Sequence, residues 1–333
     1  MKDESARLRG KQDTRGIFTY LKASSRSSLY RNGEVLTRRD ADGSDAGWQG
    51  VDRDQHDMLV HDARRLAGVD RRTIISNGFE LLTRPLADDG LDFFDQQQVV
   101  RKYYGHCAEI VSEYTGARAF AFDHNVRSAS GKKSKQRISG GQQVQGPAHM
   151  VHGDYTLTSA PQRLRDLSKP PTANDSLRTV LGEGQSLINA EMAERALGNG
   201  GRFAIINLWR NIAKEPVATH PLALCDADCV QPEDLVVFEI HYKDRIGENY
   251  FAKHSPRHQW FYYPHMSGDE ALLIKQWDSE GKLARTKGSE GDAGAGDQAP
   301  CTFSFHSAFE DPATPPDAPD RWSIEVRCIV VYD

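Results

Sequence analysis

The clearest helical period in the chain lies between Asp95 and Tyr114. Val99, Tyr103, Cys107, Ile110, Val111 and Tyr114 recur at helical spacing there, and Gly116 follows as a stop. The pattern predicts one amphipathic helix packed outside a sheet. Val51–Leu66 carries a weaker helical pattern, and Leu187–Leu197 predicts a further helix ended by Gly198-Asn199-Gly200-Gly201. Strand-like runs begin with Ile17–Leu21, Phe79–Leu82 and Ala119–Arg127. Beyond Gly200 they dominate. Arg202–Trp209, Leu235–Tyr242, Gln259–Tyr263, Ala271–Trp277, Thr302–His306 and Ser323–Tyr332 are all rich in aromatic and β-branched residues. Many short strands after a helical lead-in predict an α+β chain. Its core is expected to be a double-stranded β-helix (jelly roll) of mainly antiparallel strands with flanking helices.

The polar stretches set the boundaries. Residues 1–15 are charged and poor in apolar side chains, so they read as a loose leader. Residues 16–333 then form one domain, with a mixed helix and strand lead-in to about residue 147 and the jelly-roll core after it. Ser128–Gly146, rich in Gly, Ser and Lys, reads as a mobile solvated loop and a candidate lid. Residues 281–300, rich in Gly and Asp, read as a flexible insertion.

Composition narrows the function classes. Of 333 residues, 38% are hydrophobic and 27% charged, as in soluble globular proteins. A net charge of -5 gives no reason to expect nucleic acid or an anionic membrane as partner. No apolar run reaches the length of a membrane span, and the first residues lack the apolar core of a secretory signal. Five scattered cysteines, an odd number, suggest a reducing interior. The expectation is a cytoplasmic enzyme or binding protein, with a homodimer as the default assembly.

The chemistry starts at His152-Gly153-Asp154. On an extended segment residues i and i+2 point the same way, so this imidazole and carboxylate form a pincer for one metal ion. A second His would complete a 2-His-1-carboxylate set with positions left open. His220, His241, His254, His258 and His265 sit beside Pro, Arg or turn residues and read as surface or hydrogen-bonding groups. In Cys301–His306, Phe303 and Phe305 take one face while Thr302, Ser304 and His306 share the other. That is the pattern of a barrel wall lining a wet pocket. On the last strand Ile324, Val326, Cys328 and Val330 alternate with Ser323, Glu325 and Arg327. An Arg near a Ser, as in Arg321-x-Ser323, can hold a small dicarboxylate by a bidentate ion pair and a hydroxyl bond. A pincer, a distal His and then Arg-x-Ser is the order expected of a non-haem iron enzyme using 2-oxoglutarate.

Other polar residues carry two readings each. Lys275, inside an apolar strand, either pairs with Asp278 or Glu325 or meets a ligand. Tyr103, Tyr262 and Trp260 either line a substrate site or belong to the core. Cys225-x-x-x-Cys229 has no matching second pair and reads as two ordinary cysteines rather than a zinc site.

Several segments together carry a resemblance: Arg202-Phe203 through Asn207-Leu208-Trp209-Arg210, Pro221–Asp226, His258–Tyr263, Glu270–Lys275 with Asp278-Ser279, His306–Phe309, and Arg321-x-Ser323-Ile324-Glu325-x-Arg327. From about Phe120 onward the chain resembles the group containing fungal gibberellin desaturase, the AsaB-type hydroxylase/desaturases and the cephamycin methoxylation protein CmcJ. The resemblance implies an oxygenase dependent on iron(II), 2-oxoglutarate and O2. Such an enzyme hydroxylates or desaturates a small natural product through an iron(IV)-oxo species and releases succinate and CO2. It implies His152, Asp154 and His306 as iron ligands. Arg321 with Ser323 would be the 2-oxoglutarate anchor, with Arg327 as the rival. Asn207, Arg210, Lys275 and Tyr262 become candidates for the substrate pocket. Two other readings stay open: a zinc- or manganese-dependent hydrolase on the same triad, or a non-catalytic accessory subunit of a methyltransferase.

Overall fold

Two β-sheets carry the architecture of the computed structural model, which describes residues 13–39, 45–86, 90–172, 175–243, 245–289, 291–292 and 299–333. The larger sheet has ten strands. Their order is β1 (Thr14–Leu21), β4 (Arg53–Asp62), β12 (Trp260–Tyr262), β9 (Leu222–Cys225), β14 (His306–Ala308), β7 (His152–Gly153), β11 (Ile246–Ala252), β10 (Leu235–His241), β2 (Leu36–Arg39) and β3 (Asp45–Gln49). Among the described strand ladders of this sheet, β10–β2 and β12–β4 are parallel and the others antiparallel. The smaller sheet is antiparallel throughout, in the order β5 (Phe79–Thr83), β13 (Glu270–Asp278), β8 (Phe203–Asn211), β15 (Ser323–Val331), β6 (Arg118–Arg127). Every residue of β8 is buried, because this strand lies at the centre of its sheet with both faces covered.

The helix expected over Asp95–Tyr114 is present, and its start is set by a cap. The Asp95 carboxylate accepts from the backbone N–H groups of Gln97 and Gln98. One π-helical turn, Val99–Tyr103, leads into α1 (Tyr104–Thr115), and Gly116 ends it in the left-handed region at φ 66°. The turn and helix bury Val99, Tyr103, Cys107, Ile110 and Val111, and α1 packs on β6 and β15. The short helices α2 (Ala129–Lys133), α3 (Ser159–Leu167) and α4 (Ala190–Leu197) flank the sheets, and α5 (Lys282–Thr286) follows β13. No helix among the described residues is long and apolar enough to cross a membrane.

The mixed sheets with a few helices match the coarse α+β expectation, and five local expectations change. Val51–Leu66 is mainly strand, with a single 3-10 turn at Ala63–Arg65. It contains β4, whose inward positions include Asp54 and His56, so polar residues on the half-buried face hid the period of two. Thr302–Phe305 lie outside the ladder that begins at His306, and their hydroxyls face protein. Thr302 Oγ1 bonds to Asp292 and Ser304 Oγ donates to the Cys225 carbonyl. Ser128–Gly146 is structured: it holds α2, and Asp320 accepts from Ser130 N at 3.0 Å. Gly131 is packed so closely that a Cβ would come 2.5 Å from the Trp322 ring. Finally, Thr14 and Arg15 of the expected leader already belong to β1, and α5 occupies the start of the expected insertion. Residues 1–12 and 293–298 lie outside the described residues.

Candidate metal centre

β7 is only two residues long, yet it joins the two histidines. His152 pairs in register with His306 of β14 on one side and with Phe251 of β11 on the other. Two imidazoles remote in sequence therefore stand side by side, with ring centroids 4.2 Å apart. Gly153 is required between His152 and Asp154, because a Cβ there would come 2.9 Å from the Phe303 ring. His152 Nδ1 lies 2.7 Å from the Met150 carbonyl oxygen, which can only accept, so Nδ1 carries the proton and Nε2 is the free nitrogen. Asp154 Oδ1 lies 3.7 Å from His152 Nε2 and 4.0 Å from His306 Nε2. The three ligand atoms fall within 4.8 Å of one another, and no other such group exists among the described residues.

The second oxygen of Asp154 is engaged elsewhere. Oδ2 accepts from Asn207 Nδ2 at 3.0 Å and from Arg327 Nε at 3.2 Å. Asn207 and Arg327 are direct register partners across β8 and β15. One rung of the smaller sheet thus grips a carboxylate carried beside the larger one. The Asp154 N–H donates to Gln276 Oε1 at 3.1 Å, and Gln276 is the extra residue at the bulge between Lys275 and Trp277 of β13.

Burial alone would raise the Asp154 carboxyl. Arg327, then His306 and His152, outweigh it and hold the group well below the usual carboxylate range. Burial, followed by the neighbouring His306, pushes His152 down to about 4, and burial lowers His306 as well. The site therefore presents a carboxylate and two neutral imidazoles, the forms a metal needs. A pH dependence follows. Between about 4 and 6.5 His152 is neutral in the fold but protonated in the unfolded chain. The unfolded state binds more protons in that window, so stability of the metal-free protein falls as pH drops through it. The urea midpoint should be lower at about pH 5 than at about pH 7, and an unchanged midpoint would contradict the burial of these rings.

A narrow cleft opens beside the triad, lined by His152, His306, Arg127, Arg321, Glu325 and Trp209 among others. Arg321 is buried, donates from Nη1 to the His220 carbonyl, and stands 5.8 Å over the Trp209 ring. Its Nε has no partner, and neither does the buried Ser323 Oγ. Burial, then Arg127, push the Arg321 guanidinium down to about 9, a cost that an anion beside it would relieve. Arg327 makes contacts of a different kind. Besides Asp154 it meets Asp123 at 3.0 Å and Glu325 at 3.5 Å, so its charge is already matched by carboxylates.

The remaining pocket candidates separate. Asn207 is at the site. Arg210 lies apart, bound to Tyr103 Oη at 3.0 Å and to the carbonyls of Arg84 at 2.7 Å and Gly268 at 2.5 Å. Lys275 is paired with Asp278 at 3.2 Å, the structural alternative. Tyr262 sits in the aromatic core, its ring edge-on to Phe309 at 5.5 Å, although its hydroxyl has no partner. Trp260 is also core and donates to Tyr20 Oη at 2.9 Å. Cys225 and Cys229 are free thiols. Sequence reasoning missed Arg127 and Gln276. The alternation Asp123-x-Asn125-x-Arg127 on an otherwise apolar strand was a signal for Arg127. A bulge has no comparable signature.

The donor set matches a divalent transition ion of the 2-His-1-carboxylate class, with one carboxylate oxygen bound and the other tied back. Comparison with known proteins points the same way. A family model described as oxidoreductase/YMDC permease-like domain matches residues 18–331. An uncharacterized protein in the dcmA 3' region of Methylophilus leisingeri is 42% identical over 194 residues, covering 58% of this chain and 88% of that protein. The Fe(II)/2-oxoglutarate-dependent dioxygenase nvfI of Aspergillus novofumigatus is 28% identical over 281 residues, covering 83% of each chain. A solved structure of the iron and alpha-ketoglutarate-dependent endoperoxidase NvfI superposes with a TM-score of 0.68 at 22% identity, covering 96% of this chain and 98% of that one, and so shares its fold.

Proposed function

This chain belongs to the oxidoreductase/YMDC permease-like domain family, and on that footing we propose that it is an iron(II)- and 2-oxoglutarate-dependent oxygenase of a small molecule. The observation that carries the reading is the triad itself. Oδ1 of Asp154 and the two Nε2 atoms converge within 4.8 Å, while Asn207 and Arg327 hold Oδ2 away. Bound iron with 2-oxoglutarate and O2 would supply the oxidant that removes hydrogen from an unactivated C–H bond, releasing succinate and CO2.

The protein's own residues do the rest. The Met150 carbonyl fixes the His152 tautomer, and the β7–β14 pairing fixes the separation of the two rings. Arg327 and Asn207 keep Asp154 one-toothed, which leaves coordination positions for ligands. Arg321 Nε and Ser323 Oγ, both buried and unpartnered, are the donors for the far carboxylate of 2-oxoglutarate. Arg327 is better read as a positioning residue than as the rival anchor, because its charge is already matched. Leu222, Ala148 and Ala308 give the cavity an apolar wall that keeps bulk water off the reacting carbon. The finer reading follows the sequence resemblance: a double-stranded β-helix spanning residues 16–333 as one domain, acting as hydroxylase or desaturase on a secondary metabolite like the gibberellin desaturase, AsaB and CmcJ group.

Succinate formation by the purified chain tests this. Iron(II), 2-oxoglutarate and O2 should give succinate, and zinc should not. Turnover with zinc but none with iron would favour a hydrolase. Arg321→Gln should raise the KM for 2-oxoglutarate about tenfold or more, the loss of roughly 1.5–3 kcal/mol of charged hydrogen bonding. Metal affinity should stay within about twofold, since Arg321 does not touch the triad; a drop in metal affinity instead would remove Arg321 from the anchor role.

A further inference from the structure

The oxygenase reading, on which this inference rests, uses one cation of the cavity and leaves another idle. Arg127 ends β6, where its register partner is Ser323 of β15, and its side chain lines the cavity with His152, His306 and Arg321. The guanidinium makes one hydrogen bond, from Nη1 to the Gly146 carbonyl at 2.9 Å. Glu325, the one carboxylate in the lining, is paired with Arg327 at 3.5 Å instead. A half-buried guanidinium with one carbonyl acceptor is a poor arrangement until an anion arrives.

2-Oxoglutarate does not supply that anion. It has two carboxylates: one belongs with the 2-oxo group at the metal, the other with Arg321 and Ser323. Both of its charges are then matched, and Arg127 still has no ion pair at contact distance, although the Glu325 and Asp154 carboxylates act on it from further away. Ser128–Gly146 follows Arg127 directly and returns through Gly146 to contact it, with the Lys132 side chain beside Gly146. The segment also exposes Lys133, Lys135 and Arg137, so the chain that follows Arg127 is itself positively charged. We propose that Arg127 is a specificity-determining residue and that the substrate it selects carries a carboxylate.

The test uses the full chain loaded with manganese, a redox-quiet stand-in for iron, and saturated with 2-oxoglutarate. Benzoate, cyclohexanecarboxylate and abietate are each titrated by calorimetry beside their primary amides. At least one acid should bind about tenfold tighter than its amide, one charged contact's worth. Arg127→Gln should erase that preference while its affinity for 2-oxoglutarate stays within about twofold, which also reports an intact fold. Arg127→Lys, which keeps the charge, should retain part of the preference. The proposal is overturned if no acid outbinds its amide, if the preference survives in R127Q, or if R127Q weakens 2-oxoglutarate rather than the acid. A wild-type protein that takes manganese but not 2-oxoglutarate would instead bring down the co-substrate reading itself.

Discussion

Asp154→Ala should abolish succinate formation, by well over a hundredfold, and lower metal affinity to a similar degree. Loss of outer partners of a ligand alone typically costs about 10–100-fold, and here the ligand itself goes. The substitution removes the one anionic donor of the triad, leaving two neutral imidazoles that hold a divalent ion weakly. The fold should survive, because Arg327 keeps Asp123 at 3.0 Å and Glu325 at 3.5 Å as counter-charges. Asp154→Asn is the sharper control. It keeps the shape but weakens the charge pairing with Arg327, so it should lose activity with little change in the urea midpoint. Asn207→Ala should fall between, with a metal affinity about tenfold lower, since it frees only one of the two donors that hold Oδ2. Anaerobic metal titration and succinate assays decide it. A D154A protein keeping even a tenth of wild-type succinate formation would remove Asp154 from the site.

The second large effect concerns stability. Asp278→Ala should destabilise the protein by about 3–5 kcal/mol, because it leaves a buried ammonium without its counter-charge. Asp278 is fully buried. It accepts from Lys275 Nζ at 3.2 Å, from Arg202 at 2.8 and 3.1 Å, and from the Glu280 N–H at 3.1 Å. Arg202 can turn to solvent, with about a third of its side chain exposed, but Lys275 cannot. Without Asp278, Lys275 keeps only the Ile75 carbonyl at 3.5 Å. The melting temperature should drop by roughly 2–4 °C per kcal/mol. Adding Lys275→Met should restore most of the loss, because the unpaired charge, not the lost contact, is the main cost. A single mutant within about 1 kcal/mol of wild type would show that Lys275 finds another partner.

Lys275 also marks how far the sequence could be read. An isolated lysine among Leu272, Leu273 and Ile274 signals a buried cation, but not whether its partner is protein or ligand. Asp278 and Glu325 were both candidate partners; the bulge at Gln276 is what brings Asp278 to Lys275, since a regular strand would put residues 275 and 278 on opposite faces. The long strands β6, β8, β10, β13 and β15 were legible because buried β-branched and aromatic runs leave few other options. β4 was not, because three of its inward positions, Asp54, His56 and Asp62, are polar. The three triad residues were legible because their chemistry is scarce and their order informative. Arg327 and Asn207 were recognisable as polar residues on a common site, yet their joint hold on one carboxylate oxygen depends on register between strands more than a hundred residues apart. Register of that kind is a property of the assembled sheets.

The pairing of β7 with β14 also has a kinetic consequence. The two histidines are about 150 residues apart in the chain and become neighbours through a single bridged pair, His306 with His152, near the middle of a ten-stranded sheet. Closing so long a loop is entropically costly, and a two-residue strand cannot hold it without the flanking strands already in place. The metal pocket is therefore expected to form late on refolding. Metal added to the unfolded chain should leave the folding rate nearly unchanged and slow mainly unfolding, so that bound metal acts as a late latch rather than as a nucleus.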